Sequence, residues 1–175
     1  MALKIISWNI NSIRARLSHL KKILRTYNPD LICLQETKVT NEKFPKEKIK
    51  SLGYEFFYLN GIPSYNGVSI ISKIKADNSG IIEWCQNNDG RHISILLRNL
   101  TLHNIYIPAG GELPDPKLNQ KFKHKLKFLD ELISWSTSKT FKKTIICGDF
   151  NIAPFPEDVW SHKQLKNTIS HTEIE

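Results

Sequence analysis

Four residues in this sequence stand where hydrolytic chemistry could be done. Asn9, Glu36, Asp149 and Asn151 each lie where an apolar run gives way to polar residues. Runs of this length read as buried strands. The C-terminal ends of such strands gather at one rim of a sheet, where α/β proteins build their sites. Hard oxygen donors gathered there suit Mg²⁺ or Mn²⁺, which take carboxylates, water and phosphate oxygens. Asp149 and Asn151 are two apart, so in an extended segment they point to the same side. A carboxylate so placed can take a proton from water, and a carboxamide can donate a hydrogen bond to a phosphoryl oxygen. Tyr106, at the end of a further strand, adds a phenol. The alternative for each polar residue is a plain strand or turn cap, and for Tyr106 it is ordinary β-propensity.

The elements that position these residues are legible in outline. Leu3–Trp8 predicts a buried strand ending at Asn9, and Leu31–Gln35 predicts a second ending at Glu36. Between them Ile13, Leu17, Leu20, Leu24 and Tyr27 recur at helical spacing, with Arg14, Arg16, Lys21, Lys22 and Arg25 among them. That is an amphipathic helix with a basic outer face, stopped by Asn28-Pro29-Asp30. Lys46–Leu52 predicts a short helix closed by Gly53. Strand signals over Tyr54–Leu59, Val68–Ser72, Ile81–Trp84, Ile93–Leu97 and Thr101–Ile107 predict an antiparallel meander. Pro114 and Pro116 open a second long helix with the apolar stripe Leu118, Phe122, Leu126, Leu129 and Ile133. Lys117, Lys121, Lys123, Lys125 and Lys127 fill the remainder of that helix. Thr144–Gly148 predicts a last buried strand, and residues 155–175 show no sustained periodicity. Strand–helix units together with a meander predict an α/β layered sandwich, as a single domain over residues 1–175.

With 25 Lys+Arg against 17 Asp+Glu the net charge is +8. A basic surface attracts polyanions, nucleic acid first among them, and a merely Lys-rich surface is the alternative. No apolar run approaches the roughly 18 residues of a membrane span. The opening MALKIISWNI reads as a strand and not as a signal peptide, so a cytoplasmic setting is expected. Cys33, Cys85 and Cys147 form no CxxC pair, which argues against zinc and fits reduced thiols.

Motifs sharpen this reading. SWNINSIRAR (7–16), LQETK (34–38), NGVSIISK (66–73), Gly90-Arg91 before a strand, NIYIPAGG (104–111) and GDFNIAP (148–154) follow one another in order. Together they resemble the exonuclease III family of abasic-site endonucleases, within the endonuclease/exonuclease/phosphatase superfamily, from residue 3 to about residue 160. The resemblance implies a four-layer αββα sandwich. It also implies metal-dependent hydrolysis of DNA phosphodiesters, by abasic-site incision or 3′→5′ exonuclease action, with Mg²⁺ or Mn²⁺. The implied partner is double-stranded DNA with an abasic site or a 3′ end, and no membrane. Residue by residue, it places Asn9, Glu36, Asp149 and Asn151 at the metal, with Glu36 the principal ligand. It makes Tyr106, Asp149 and Asn151 catalytic: Tyr106 contacts the scissile phosphate, Asp149 activates water and Asn151 orients the phosphoryl oxygens. It places Arg14, Arg16 and Arg91 at the DNA.

The family carries further motifs, among them a C-terminal Ser-Asp-His signature. None of His19, His92, His103, His124, His162 and His171 sits in such a motif. The expectation is a domain present only in its N-terminal two-thirds or so, with exposed sheet edges and a missing C-terminal half as a partner. Weak catalysis and low stability are expected of the isolated chain, an expectation that a cooperative melt well above about 50 °C would contradict. Two other readings compete: a catalytically dead, basic remnant that binds DNA or a partner, and a phospholipid or inositol-phosphate phosphoesterase. The opening motif and NIYIPAGG favour the DNA branch over the latter.

Overall fold

In the computed structural model, which describes residues 2–138 and 141–175, the apolar runs become two four-stranded sheets. β1 (Ile5–Asn9), β2 (Leu31–Gln35), β3 (Phe56–Asn60) and β4 (Val68–Ser72) lie in the order β1-β2-β4-β3. β5 (Asn78–Gly80), β6 (His92–Leu97), β7 (Leu100–Tyr106) and β8 (Thr144–Asp149) follow in sequence order. β1–β2 and β7–β8 are parallel, and the other pairs are antiparallel. The parallel pairs are those whose connections carry a long helix, as parallel geometry requires. These helices are α1 (Leu17–Tyr27) and α3 (Gln120–Thr137); α2 (Glu47–Lys50) and α4 (His162–Leu165) are short.

The chain divides into two units. The first comprises Met1–Glu83, Asn88–Tyr106 and Phe141–Asp149, and holds both sheets with α1 and α2. The second comprises Trp84–Asn87, Ile107–Thr140 and Phe150–Glu175, and holds α3 and α4.

In the first unit β2 and β4 are buried along their whole length because each face meets a different layer. Ile32, Leu34 and Ile71 pack with Leu20 and Leu24 of α1. Leu31, Cys33, Val68 and Ile70 pack with Ile93, Ile95, Leu97 and Leu102 of the other sheet. Within that second interface Asn104 of β7 accepts from Gln35 Nε2 at 2.7 Å and donates to the main-chain oxygens of Leu34 and Ser69, each at 3.0 Å. A misaligned layer would leave these buried groups unpaired, so they fix how the sheets register.

In the second unit Asn119 caps α3, its side chain accepting from the Lys121 and Phe122 N–H groups. The helix buries Phe122, Lys125, Phe128 and Leu129. Trp84 packs edge-on against Phe128 and Trp135, and the Cys85 N–H donates to Glu131 at 2.7 Å. Among the described residues no helix is long and apolar enough to cross a membrane.

Several expectations need correction. The first helix begins at Leu17 and not Ile13, because Asn11 and Ser12 take positive φ and residues 13–16 turn before the helix starts. The meander is divided between the sheets: β3 and β4 pair antiparallel beside β2 in one, and β5, β6 and β7 run antiparallel in sequence order in the other. Ile81–Trp84 is not a strand; the strand is Asn78–Gly80, and Trp84–Gln86 forms a 3₁₀ turn. The second long helix starts after both prolines, so Leu118 lies outside it, exposed like Ile133, while Lys125 takes a buried position. β1 and β8 are half-buried because each ends its sheet, and Ile145 and Ile146 are exposed. Cys33 is buried as expected, but Cys147 on β8 is only half-buried.

Candidate active site

Parallel register sets Asn9 beside Gln35 and Tyr106 beside Asp149, so the ends of β1, β2, β7 and β8 bring the expected polar residues to one place within the first unit. Asn9 Nδ2 donates to Glu36 Oε1 at 2.9 Å and to Asp149 Oδ2 at 2.7 Å. Its Oδ1 accepts the Asn11 N–H at 3.1 Å, which fixes the amide with its donor end toward the acids. Two carboxylates are therefore held around one nitrogen. Tyr106 Oη donates to Glu36 Oε1 at 2.9 Å. Lys38 Nζ lies 2.8 Å from Glu36 Oε2 and 2.6 Å from Asn11 Oδ1.

The chain here is bent as well as polar. Glu36 and Lys38 both have φ of 53°, a left-handed conformation that non-glycine residues adopt at a cost of about 1–3 kcal/mol. Surrounding main-chain bonds hold it: Ser12 N–H donates to Glu36 O at 2.7 Å, and Thr37 N–H to Gly67 O at 3.0 Å. At Gly148, one residue before Asp149, φ is 145° and a Cβ would overlap the main chain of Ile105. Only glycine lets β8 approach β7 that closely.

Burial pushes the Glu36 carboxyl up, but hydrogen bonds from Asn9, Lys38 and Tyr106 outweigh it and hold the group below the usual carboxylate range. Burial, followed by the hydrogen bond to Glu36, drives the Tyr106 phenol well above its ordinary value. At neutral pH the pair is a carboxylate and a protonated donor.

Arg91 braces this tyrosine. Its guanidinium lies 4.8 Å from the ring centroid, donates to Tyr106 O at 3.2 Å and to Asn66 Oδ1 at 3.3 Å, and pairs with Asp89. Its side chain is only 12% exposed. Arg14 is exposed on the turn before α1, and Arg16 donates to the main-chain oxygen of Asn11. Asn151 belongs to the second unit, where its Nδ2 donates to Ile107 O at 2.9 Å. Sequence reasoning missed Lys38, whose position two residues past Glu36 in LQETK was a visible signal. It also missed Asn104 and Lys125, which carry none: each looks like a solvent-facing polar residue.

Among the described residues no three His, Cys, Asp or Glu side chains gather as a metal cluster. Two carboxylates with a neutral amide and a phenol fit a hard cation that keeps most of its waters, Mg²⁺ or Mn²⁺, and not zinc.

Comparison with known proteins bears on the family and the fold. A model of the Endonuclease/Exonuclease/phosphatase family matches residues 6–169. The chain is 34% identical to exodeoxyribonuclease III of Haemophilus influenzae over 165 residues, covering 90% of this chain and 60% of that protein. It is 32% identical to recombination repair protein 1 of Drosophila melanogaster, covering 99% of this chain and 25% of that protein. Among solved structures, an AP endonuclease from Archaeoglobus fulgidus superposes with a TM-score of 0.88 at 33% identity, over 99% of this chain and 66% of that one. A 3′ phosphatase from Neisseria bound to a product DNA hairpin superposes with a TM-score of 0.81 at 28% identity, over 97% of this chain and 65% of that one. The chain thus spans between 25% and 60% of the length of these two curated relatives.

Proposed function

The chain belongs to the Endonuclease/Exonuclease/phosphatase family, and we propose that it serves as a DNA-repair nuclease that hydrolyses phosphodiesters at abasic sites or 3′ ends with Mg²⁺ or Mn²⁺. The observation that carries this reading is the pair of carboxylates, Glu36 and Asp149, bridged by Asn9 Nδ2 at strand ends, with Tyr106 donating to Glu36. Relatives named as an exodeoxyribonuclease III, an AP endonuclease and a 3′ phosphatase support the substrate class.

In this reading Glu36 and Asp149 hold the cation, and Asn9 keeps the two acids apart and aligned. The cation, when bound, supplies neutralisation of charge on the phosphate and on the leaving oxygen. Asp149 takes the proton of the attacking water. Tyr106 stays protonated and, with substrate present, turns its single O–H from Glu36 to a phosphate oxygen, its ring held in place by Arg91. Asn151, two residues further along the chain, orients the phosphoryl oxygens. Arg14 and Arg16 contact duplex phosphates, to which the net charge of +8 also draws the protein. Three cysteines without a CxxC pair support a reducing, cytoplasmic setting.

A partner follows from the sheet ends. β1 and β8 are outer strands, and β8 exposes Ile145 and Ile146. Unpaired, partly apolar edges favour a strand-supplying partner. We propose that this partner is the part of the family domain that lies outside this chain, and that activity is low without it.

The test is incision of a duplex carrying one abasic site, with Mg²⁺ and with a chelator, by this chain and by Glu36→Ala. Chelator-sensitive cleavage that disappears in Glu36→Ala is the expected result. Cleavage by the parent that Glu36→Ala retains overturns the site assignment. DNA binding that weakens with salt, without any cleavage, favours the binding remnant instead.

A further inference from the structure

Lys125 is the buried charge that the nuclease reading leaves unused. It sits in the second turn of α3 with its side chain 0% exposed, and the side chain of its ion-pair partner Glu175 is 1% exposed. An ammonium has three protons to donate, and here each has an acceptor. Nζ donates to the main-chain oxygen of Asn151 at 2.6 Å, to Ser170 Oγ at 3.2 Å, and to the Glu175 carboxylate. The carboxylate is saturated in turn. Glu175 Oε2 accepts the Ser170 N–H at 2.8 Å, the Thr172 N–H at 3.3 Å and Thr172 Oγ1 at 2.7 Å. The reach back from Glu175 to the Thr172 N–H is half of a capping box.

The stem of Lys125 is boxed as tightly as its head. Gly110 has φ of 90°, and a Cβ there would stand 2.9 Å from Lys125 Cδ and from Ile169 Cγ2. The ammonium therefore has one place to go. Asn151 needs such a clamp. Its φ is 50°, left-handed for a residue with a side chain, and its main-chain oxygen must be held against relaxation. Lys125 holds that oxygen, while Ile107 O holds the side-chain Nδ2 at 2.9 Å.

We propose that Lys125, locked by Glu175, is a positioning residue for Asn151: it fixes the Asn151 backbone so that the carboxamide is presented in one orientation. The inference rests on the catalytic role of Asn151 proposed above, and goes beyond it by naming what sets its geometry. A purely structural ion pair makes a different prediction. Replacing both charges together should then restore everything, since a buried pair can be exchanged for neutral groups at little cost.

The experiment compares the parent chain with Lys125→Met/Glu175→Gln, reading the side-chain amide resonances of Asn151, which Asn151→Asp identifies by their loss. The double variant should fold, yet shift those resonances. On abasic duplex its kcat should fall by about 100-fold with KM within about twofold, the signature of a misplaced group. Unchanged resonances overturn the proposal, whatever the rates. Shifted resonances with unchanged kcat keep the clamp and count against the catalytic role of Asn151, and a parent without activity leaves the resonances to decide. Should the double variant fail to fold, Lys125→Arg decides. It keeps the charge, but its larger planar head does not fit the space between Asn151 O, Ser170 Oγ and Glu175 that holds the ammonium. It should shift the same resonances and lower kcat by about 10-fold, and resonances at parent positions overturn the proposal.

Discussion

Glu36 and Lys125 are each the charged centre of a polar cluster, and the two clusters are built in opposite ways. Around Glu36, in the first unit, two carboxylates share a neutral amide, Glu36 also takes a phenol and one ammonium, and its side chain keeps 19% of its surface open. Around Lys125, in the second unit, every proton of the ammonium meets an acceptor and both partners of the ion pair are sealed from water. Acidic charge left accessible is what a cation and a phosphate can complete. Charge that is fully answered inside the protein can only hold backbone in place. What distinguishes site from scaffold is the account of partners around a charge, more than its burial.

The contrast is broken most directly by neutralising each centre. Glu36→Gln should lower abasic-site incision by about 10³-fold or more, within the range seen for lost acid–base or metal-holding groups. It should lower the denaturation midpoint modestly, and far less than the loss of Lys125 does, because the bonds from Asn9, Lys38 and Tyr106 that favour the charged carboxyl are lost at a site still open to water. Incision within tenfold of the parent would remove Glu36 from the site. Lys125→Met alone should do the reverse. It strands the Glu175 carboxylate in the interior and should cost about 3–5 kcal/mol by urea denaturation. A loss below about 1 kcal/mol would mean that water reaches the cluster.

How much of this contrast the chain displays in its sequence differs between the two sides. Asn9, Glu36, Tyr106 and Asp149 were visible because strands end where apolar runs end, and parallel strands end together. Their rim follows from pattern alone. Lys125 was invisible for the same reason that makes pattern useful. A lysine among Lys117, Lys121, Lys123 and Lys127 reads as solvated surface, and only the start of α3 at Gln120 turns it inward beside Phe122 and Leu129. Asn104 was hidden likewise, since its partners Gln35 and Ser69 are distant in sequence and lie on other strands. β1 and β8 were read as fully buried because an apolar run cannot show which strand ends a sheet. The division of the meander between two sheets depends on β4 pairing with β2, a long-range choice that no local signal records.

Asn104 offers a sharper test of the same idea, that answered polar groups serve as scaffold. Asn104→Leu removes the acceptor of Gln35 Nε2 and a donor to two carbonyls, and should cost about 1–3 kcal/mol. Because the loss lies in the leftover partner, Gln35→Leu added to it should recover part of the stability. If the pair is no better than the single variant, the amides do more than satisfy each other.

A third kind of cluster is answered but uncharged. Ile82 N–H donates to His92 Nδ1 at 2.9 Å, which leaves the proton on Nε2, 2.9 Å from His103 Nδ1. Both rings are buried between β6 and β7. Burial, and then the neighbouring His103, pushes His92 down to about 3, and burial also lowers His103. A histidine in the unfolded chain titrates near 6.5. Below that pH the unfolded state binds protons that the folded pair refuses. Stability is therefore fully present above about pH 6.5 and declines as the pH falls toward 3, by about 1.4 kcal/mol per pH unit for His92 alone. Urea denaturation at pH 7, 6 and 5 reads this slope, and His92→Gln should flatten it, since a glutamine can still accept from Ile82 and has no proton to take up. A slope that His92→Gln leaves unchanged would mean that the acid sensitivity belongs to the carboxylates, and that the buried histidines are as indifferent to pH as an apolar core.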